Sequence, residues 1–409
     1  MTTRPRSIAA AVLVAAATLA SGAVEAGEDA AIGRALFRRA WVPAPSATRA
    51  DDGLGPHFDA RACAACHPAG DRPAPALDRS GELPRGMIAR AARPDGSPDP
   101  TYGHQLQAEA VTGLAPEARI RLVVSGSPRR FAVVASALAD GPPAPDTVFS
   151  LRLAPALFGV GAIEAVPEAA IRALADPDDR DGDGISGRVS EVVDRQGDPR
   201  LGRWGFRATG IDLADQVAAA FSGDMGLSTA RRPGPHGDCT ESQTACRAAP
   251  AGSPDSAGEH EIDEAIVARI AAFLETLERP EAVAPSPRRA KDTARGAAIW
   301  ANLGCAGCHA PLEGAGRTIW SDLLLHDMGP GLAAGDPAHP LAREWRTAPL
   351  LGLGDRLARR TPLLHDGRAR TLEEAVSWHG GEASAAVRRW RAASPADRRA
   401  LTDHLSTFR

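Results

Sequence analysis

Apolar residues recur along this chain in three rhythms, and each predicts a different kind of element. The first is an unbroken run from Ile8 to Ala20, preceded by Arg4 and Arg6 and followed by small residues ending Val24-Glu25-Ala26. A basic start, a short apolar middle and an A-x-A-like end predict a cleaved export signal over residues 1–26. The run is well short of the roughly 20 residues that span a bilayer, so a membrane anchor is the weaker reading, and no other segment is apolar enough to span. The second rhythm is helical. Ile262, Ile266, Ile270, Phe273, Leu274 and Leu277 form one stripe, and Ile32 to Phe37 and Ala294 to Trp300 predict shorter amphipathic helices. Ser394-Pro395-Ala396-Asp397 opens a last helix, with Ser as N-cap and Pro at the first helical position. The third rhythm is strand-like: Arg119 to Val124, Phe131 to Leu138 and Thr147 to Leu153, separated by Gly- and Pro-rich turns.

Two of the helical segments lead into the same pentapeptide pattern. Cys63-Ala64-Ala65-Cys66-His67 and Cys305-Ala306-Gly307-Cys308-His309 both read Cys-x-x-Cys-His. Two thiols at this spacing can add to the vinyl groups of a porphyrin while the adjacent imidazole takes the iron, which is the pattern of c-type haem attachment. A bare Cys-x-x-Cys is also compatible with a redox dithiol or half of a zinc site. The following His, present twice behind an export signal, favours two covalently bound haem c groups with His67 and His309 as proximal ligands. A helix carrying the motif and a closing helix packed across it is the plan of a cytochrome c domain. The expected fold is therefore mainly α: two cytochrome c-like haem domains, the first enlarged by an insertion containing a small β-sheet.

The rest of the chain sets bounds on this picture. Arg152-Leu153-Ala154-Pro155-Ala156-Leu157-Phe158-Gly159 and Arg346-Thr347-Ala348-Pro349-Leu350-Leu351-Gly352 echo one another downstream of the two motifs, as a duplication would leave them. The Pro- and charge-rich stretch after Arg279 marks the boundary. The expected domains are 27–279, a linker at 280–292, and 293–409. The net charge of −4 on 409 residues, with the signs interspersed, gives no case for nucleic acid or an anionic membrane surface. Four of the six cysteines lie in the motifs. Cys239 and Cys246 frame a polar loop and are expected to form a disulfide in an oxidising compartment, with a pair of reactive thiols as the alternative.

What each iron does depends on its other face, because a filled sixth position favours electron transfer and an open one admits peroxide. Beyond Met1 the methionines are Met87, Met225 and Met328, and the single tyrosine is Tyr102. For the second haem, His379 stands out. It ends a helix begun by the capping box Thr371-Leu372-Glu373-Glu374 and closed by Gly380-Gly381. Met328 competes but lies soon after His309. His104 is a weaker candidate as sixth ligand at the first haem. Asp179-Arg180-Asp181-Gly182-Asp183-Gly184 has the D-x-D-x-D-G start of a calcium loop, with Asp179, Asp181 and Asp183 as ligands. Position 190, where a full loop wants Glu, is Ser, so an acidic solvated turn is the other reading.

Several further segments carry a resemblance: Phe158 to Glu168, Asp176 to Arg188, Gly223-Asp224-Met225-Gly226, Leu323 to Leu332, and Leu364-His365-Asp366-Gly367-Arg368 through to His379-Gly380-Gly381. With the two haem motifs they resemble the di-haem oxidoreductase family, also called thiol oxidoreductases, relatives of the bacterial di-haem cytochrome c peroxidases and of MauG. The resemblance implies a periplasmic, peroxidase-like oxidoreductase with a reactive N-terminal haem and an electron-relay C-terminal haem. It implies hydrogen peroxide as substrate and a small redox protein or a quinol-linked donor as partner. In those relatives the turn and helix before His379 deliver Met or, in MauG, Tyr to the second haem; here the position is His, which lowers the expected potential. A carboxylate beside the first iron is implied as acid/base, with Glu164 as the candidate; Glu117 and the amide Gln107 are weaker alternatives for that position. Relatives also hold calcium between the domains. The alternatives are a non-catalytic electron-transfer cytochrome and a MauG-like protein-modifying oxidase. Trp204 and Trp300 could bridge the haems or simply pack cores. Outside the motifs only Cys239 and Cys246 remain, so the thiol label finds no support.

Overall fold

Helices that begin and end each half of the chain cross at a glycine. This computed structural model describes residues 27–252, 260–278 and 287–408; the expected export signal and residues 280–286 of the expected linker lie outside them. In the first half, the helix over 27–38 lies against the helix Glu264–Glu275. A Cβ on Gly33 would sit inside the contact shell of the Arg269 carbonyl oxygen. Phe37 meets Phe273 edge-on at 5.4 Å, and Arg269 pairs with Asp29 at 2.9 Å. In the second half, Gly296 of the helix Pro287–Leu303 faces the Ala400 carbonyl of the helix Pro395–Leu405 just as closely. Ser394 caps that last helix, its hydroxyl accepting the Asp397 amide at 3.1 Å. Trp300, Leu401, Leu405 and Phe408 form the core there, and Trp320 stacks on Phe408 at 4.2 Å.

The helix Leu213–Met225 packs on Glu264–Glu275 and completes the larger core. Asp212 caps it, accepting the Asp215 amide at 2.6 Å. Phe221, edge-on to Trp41 at 5.7 Å, sits at the centre with Ile171, Ile262 and Ile270. This core crosses between the halves, because Ile319, Leu323, Leu324 and Leu351 belong to it.

Strands occupy far more of the chain than a mainly α fold allows. The protein is 33% helical and 17% strand, with several small sheets, and the expected class is corrected accordingly. Two three-stranded antiparallel sheets lie in the first half. One orders Gly81–Glu82, Arg119–Ser125 and Arg130–Ser136; the other orders Gln105–Leu106, Met87–Ala92 and Val148–Leu153. The second centres on Met87–Ala92, a segment whose composition hides it: three of its six residues are Ala, which strands disfavour, yet Met87, Ala89 and Ala91 alternate inward. Two-stranded pairs recur outside the expected insertion, including Ser190–Val193 with Pro199–Gly202 and Leu325–Asp327 with Glu344–Arg346. Strands of two to four residues carry no readable period, which is why helical stripes dominated the pattern. Among the described residues no helix is long and apolar enough to cross a membrane.

Gly296→Ala sets two effects against each other. Helix propensity favours Ala by about 1 kcal/mol, whereas overpacking costs about 1–3 kcal/mol and the obstacle here is a backbone oxygen that cannot rotate away. The substitution is expected to lower the denaturation midpoint of the holoprotein, while Ala301→Ser on the exposed side leaves it nearly unchanged.

Candidate functional site

The two Cys-x-x-Cys-His motifs form similar local geometry. Cys63–Cys66 is a single helical turn, and the His67 amide closes it onto the Cys63 carbonyl at 3.0 Å. Cys305 to Gly307 is a tighter turn, closed by the His309 amide on the Cys305 carbonyl, also at 3.0 Å. All four thiols are free. Burial pushes Cys63, Cys66 and Cys305 up to about 12 and raises Cys308 as well. A redox dithiol is favoured by the opposite, a thiolate stabilised near neutral pH, so this environment weighs against that reading.

Each motif imidazole is oriented through one nitrogen. His67 donates from Nδ1 to the Pro155 carbonyl at 2.9 Å, and His309 donates from Nδ1 to the Trp320 carbonyl at 3.1 Å. Burial holds both rings neutral, at about 4. A neutral imidazole with Nδ1 committed presents Nε2 as a lone-pair donor, the state a metal ligand requires. The two carbonyls come from very different distances along the chain: Pro155 lies 88 residues from His67, Trp320 only 11 from His309. Both three-stranded sheets fall within that longer span.

His379 ends the helix Leu372–Trp378, whose start is capped by Thr371 accepting the Glu374 amide at 3.1 Å. Its Nδ1 is tied to the Ala375 carbonyl at 2.7 Å, leaving Nε2 free, and burial lowers its basicity. His379 is also, after burial, the charge that most depresses His309, so the two rings lie within electrostatic reach. Met328 meets this segment through its backbone, which abuts Gly380.

Beside the first motif lies a cluster of carboxyl and amide groups. Gln105 Nε2 bridges Asp59 at 2.7 Å and Asp224 at 3.0 Å. Burial, with the Asp224 charge as a second cause, raises Asp59 to about 8, and burial raises Asp224 too. Asp224 and Asp59 are both among the charges felt by Cys66, which puts the pair next to the motif. Glu117 is 2% exposed and accepts the Gln107 amide at 2.7 Å and Gln243 Nε2 at 2.5 Å.

A family model described as "Di-haem oxidoreductase, putative peroxidase" matches residues 134–408. The chain belongs to the di-haem oxidoreductase family. The matched span includes the second motif, and the first lies upstream of it. No curated protein matches this di-haem oxidoreductase. Among solved structures, a chain of Kuenenia stuttgartiensis hydrazine synthase, studied under xenon pressure, is similar at 17% identity. The likeness covers 42% of this chain and 63% of that one with a TM-score of 0.28, too slight to carry an argument.

The remaining candidates of this di-haem oxidoreductase fall in varied settings. Glu164 accepts Trp204 Nε1 at 2.8 Å and the Leu213 amide at 3.1 Å, so its carboxylate joins an indole to a helix start. Trp204 and Trp300 are buried in separate cores. Asp179, Asp181 and Asp183 bring carboxylate oxygens within 4.8 Å of one another, while also accepting amides of their own loop. Cys239 and Cys246 are disulfide-bonded, and Thr240 ties the loop to the Thr101 carbonyl at 2.8 Å. His104 is exposed. Sequence reasoning missed Asp59, which belongs to no motif, and His326. The latter is 1% exposed and lies between Asp322 at 2.9 Å and Glu382 at 2.7 Å. Burial opposes its charge, but Asp322, the Cys308 sulfur and Glu382 together push it up to about 12. Glu382 also takes the Ser186 amide and hydroxyl, each at 3.0 Å, locking the two halves together.

The Asp59 shift has a stability consequence. A carboxyl near 8 when folded and 3.8 when unfolded keeps a proton in the native state that the unfolded chain has released, so stability falls as pH rises between those values. Asp59→Asn is expected to flatten that fall in thermal melts of the holoprotein taken from pH 4 to 8. An unchanged slope would reject a protonated Asp59.

Proposed function

We propose that this di-haem oxidoreductase is an exported, periplasmic peroxidase carrying two covalently attached c-type haems. Cys63, Cys66 and His67 would hold one, and Cys305, Cys308 and His309 the other. The donor sets fit the group: in each, two free, half-buried thiols precede a neutral imidazole whose Nδ1 is spoken for and whose Nε2 is free. Bound haem would supply an iron able to take up peroxide and to store and release electrons.

The observation that carries the division of labour is the contrast around His67 and His309. His379, a second neutral imidazole with free Nε2, lies within electrostatic reach of His309, which suits a closed, electron-relaying site. In the first half, the His104 imidazole is exposed, and other potential ligands are held in place. His57 is held by the Ala115 carbonyl at 3.1 Å and faces Glu117 at 3.5 Å; Met87 and Met225 sit in apolar clusters. Tyr102 donates its hydroxyl to the Gly141 carbonyl at 2.6 Å, which weighs against a MauG-like role. What lies next to the first motif is acid. Reducing hydrogen peroxide to water consumes protons along with electrons. Asp59, protonated at neutral pH and beside Asp224, is better suited than Glu164 to hand over a proton, because Glu164 is committed to Trp204 and Leu213. Electrons would come from a small redox protein or a quinol-linked donor.

Ferric and half-reduced EPR and visible spectra test this reading. We expect one low-spin haem throughout, and a second that turns high-spin and reacts with peroxide in at least one redox state. Two low-spin haems inert to peroxide in every state would favour the electron-transfer cytochrome. His379→Gly is expected to turn the haem at Cys305 and Cys308 high-spin, and an unaltered spectrum would remove His379 from the iron.

Calcium at Asp179, Asp181 and Asp183 is proposed on the convergence of their oxygens and on their place just before Ser186, where the halves meet. Calorimetric titration of chelator-treated protein should give saturable calcium binding that Asp181→Asn with Asp183→Asn abolishes. No heat from the unsubstituted protein would refute the site.

A further inference from the structure

Arginine side chains are enclosed where the two halves meet, and two of them lack the partner that burial demands. Arg72 is 8% exposed and Arg152 9% exposed. Arg72 donates from Nη2 to the Leu364 carbonyl, while its Nε is buried without a hydrogen-bond partner. Arg152 donates from Nη1 to the Leu151 carbonyl at 2.8 Å and to Ser150 Oγ at 3.2 Å. Its guanidinium lies 4.8 Å from the centre of the Trp345 ring, with Arg207 at 5.0 Å from the same ring. His365 stacks on that ring at 3.9 Å. Among the described residues neither Arg72 nor Arg152 has a carboxylate within ion-pair distance. The acid both of them feel, Asp366, is already paired with Arg368 at 2.6 Å.

Burial pushes Arg72 and Arg152 down to about 9, the mark of guanidinium charge held without compensation. Carbonyl hydrogen bonds do not offset the desolvation of a cation; an enclosed anion does. Arg72 reaches the Leu364 carbonyl, next to His365, and Arg152 lies over the Trp345 ring on which His365 stacks, so they converge; Arg152 also lies three residues before Pro155, whose carbonyl holds His67. The missing anion therefore belongs beside the first motif imidazole, on the side facing His365 and Trp345. A haem carries two carboxylates of its own on one edge of the ring.

We propose that Arg72 and Arg152 receive the propionates of the haem held at Cys63, Cys66 and His67. This rests on the reading that a haem is attached there. Because Arg72 and Arg152 come from the first half and Trp345 and His365 from the second, the propionates would help close the seam between halves. Cationic charge near an iron favours its reduced state, so this pair also raises the potential of the first haem.

Spectroelectrochemical titration of the two-haem protein tests the proposal. Arg72→Gln and Arg152→Gln are each expected to lower the midpoint potential of the haem at Cys63 and Cys66 more than that of the haem at Cys305 and Cys308. Arg152→Lys, which keeps the charge, should recover most of the drop. The proposal is overturned if both Gln variants carry two haems with unmoved potentials. It is also overturned if the other haem responds instead, or if the Lys variant falls as far as the Gln variant. Should the Gln variants not accumulate, resonance Raman spectra of the unsubstituted holoprotein decide. Propionate bending bands that shift in heavy water mark carboxylates held by guanidinium groups, and unshifted bands overturn the proposal. Haem counting by pyridine haemochrome and intact mass separates the two claims: absence of a haem at Cys63 and Cys66 sinks the attachment, whereas full attachment with unmoved potentials sinks only the arginine assignment.

Discussion

A hydrogen bond from imidazole Nδ1 to a main-chain carbonyl is the constraint on which the rest of the protein depends. It turns His67 toward Pro155 and His309 toward Trp320, and it decides which nitrogen of each ring is left to bind. A carbonyl can do this only if its backbone is rigid, since a ring held by a mobile loop would lose the orientation that makes it a ligand. In the second half the rigid backbone is close at hand. Trp320, stacked on Phe408, is anchored to the helix pair that Gly296 brings together. In the first half the carbonyl arrives after two antiparallel sheets, at the end of the strand Val148–Leu153. Those sheets brace Pro155, and they also deliver Arg152 and Gln105 to the site.

Buried charge separates the two centres. In the second half the buried imidazole His326 is paired: it is held between two carboxylates, and one of these, Glu382, also accepts from Ser186. Beside His67, Asp59 and Asp224 share one amide donor and lean toward protonation, while Arg72 and Arg152 keep a charge that no carboxylate among the described residues neutralises. Networks satisfied in this way rigidify, and those left incomplete are where a ligand, a proton or an electron is accommodated. The disparity between the centres is thus electrostatic before it is a matter of iron ligands.

Much of this was legible in residue order. Cys-x-x-Cys-His is a local pattern whose spacing is its chemistry, so Cys63, Cys66 and His67 and their counterparts could be named from the chain alone. The capping box from Thr371 to Glu374 likewise announced a helix ending at His379, because helix starts are written in adjacent residues. Helical stripes survived because their period extends over several turns. The fold class did not survive. Met87–Ala92 reads as nothing in particular, and it is a central strand only because Val148–Leu153 and Gln105–Leu106 pair with its two edges.

The site shows the same division. Sequence by itself determined the two Cys-x-x-Cys-His turns, the helix that ends at His379 and the likeness to a family, since each lies within a few residues of its own signal. Glu164 is a candidate by resemblance, and only the tertiary structure reveals that Trp204 and the Leu213 amide already occupy it. Asp59 and Asp224, or Arg72 and Arg152, are unremarkable as letters and far apart in the chain. Their importance is a matter of what surrounds them once water has been excluded, because the cost of a charge depends on its dielectric and its partners. No local pattern encodes that, and only the folded chain decides it.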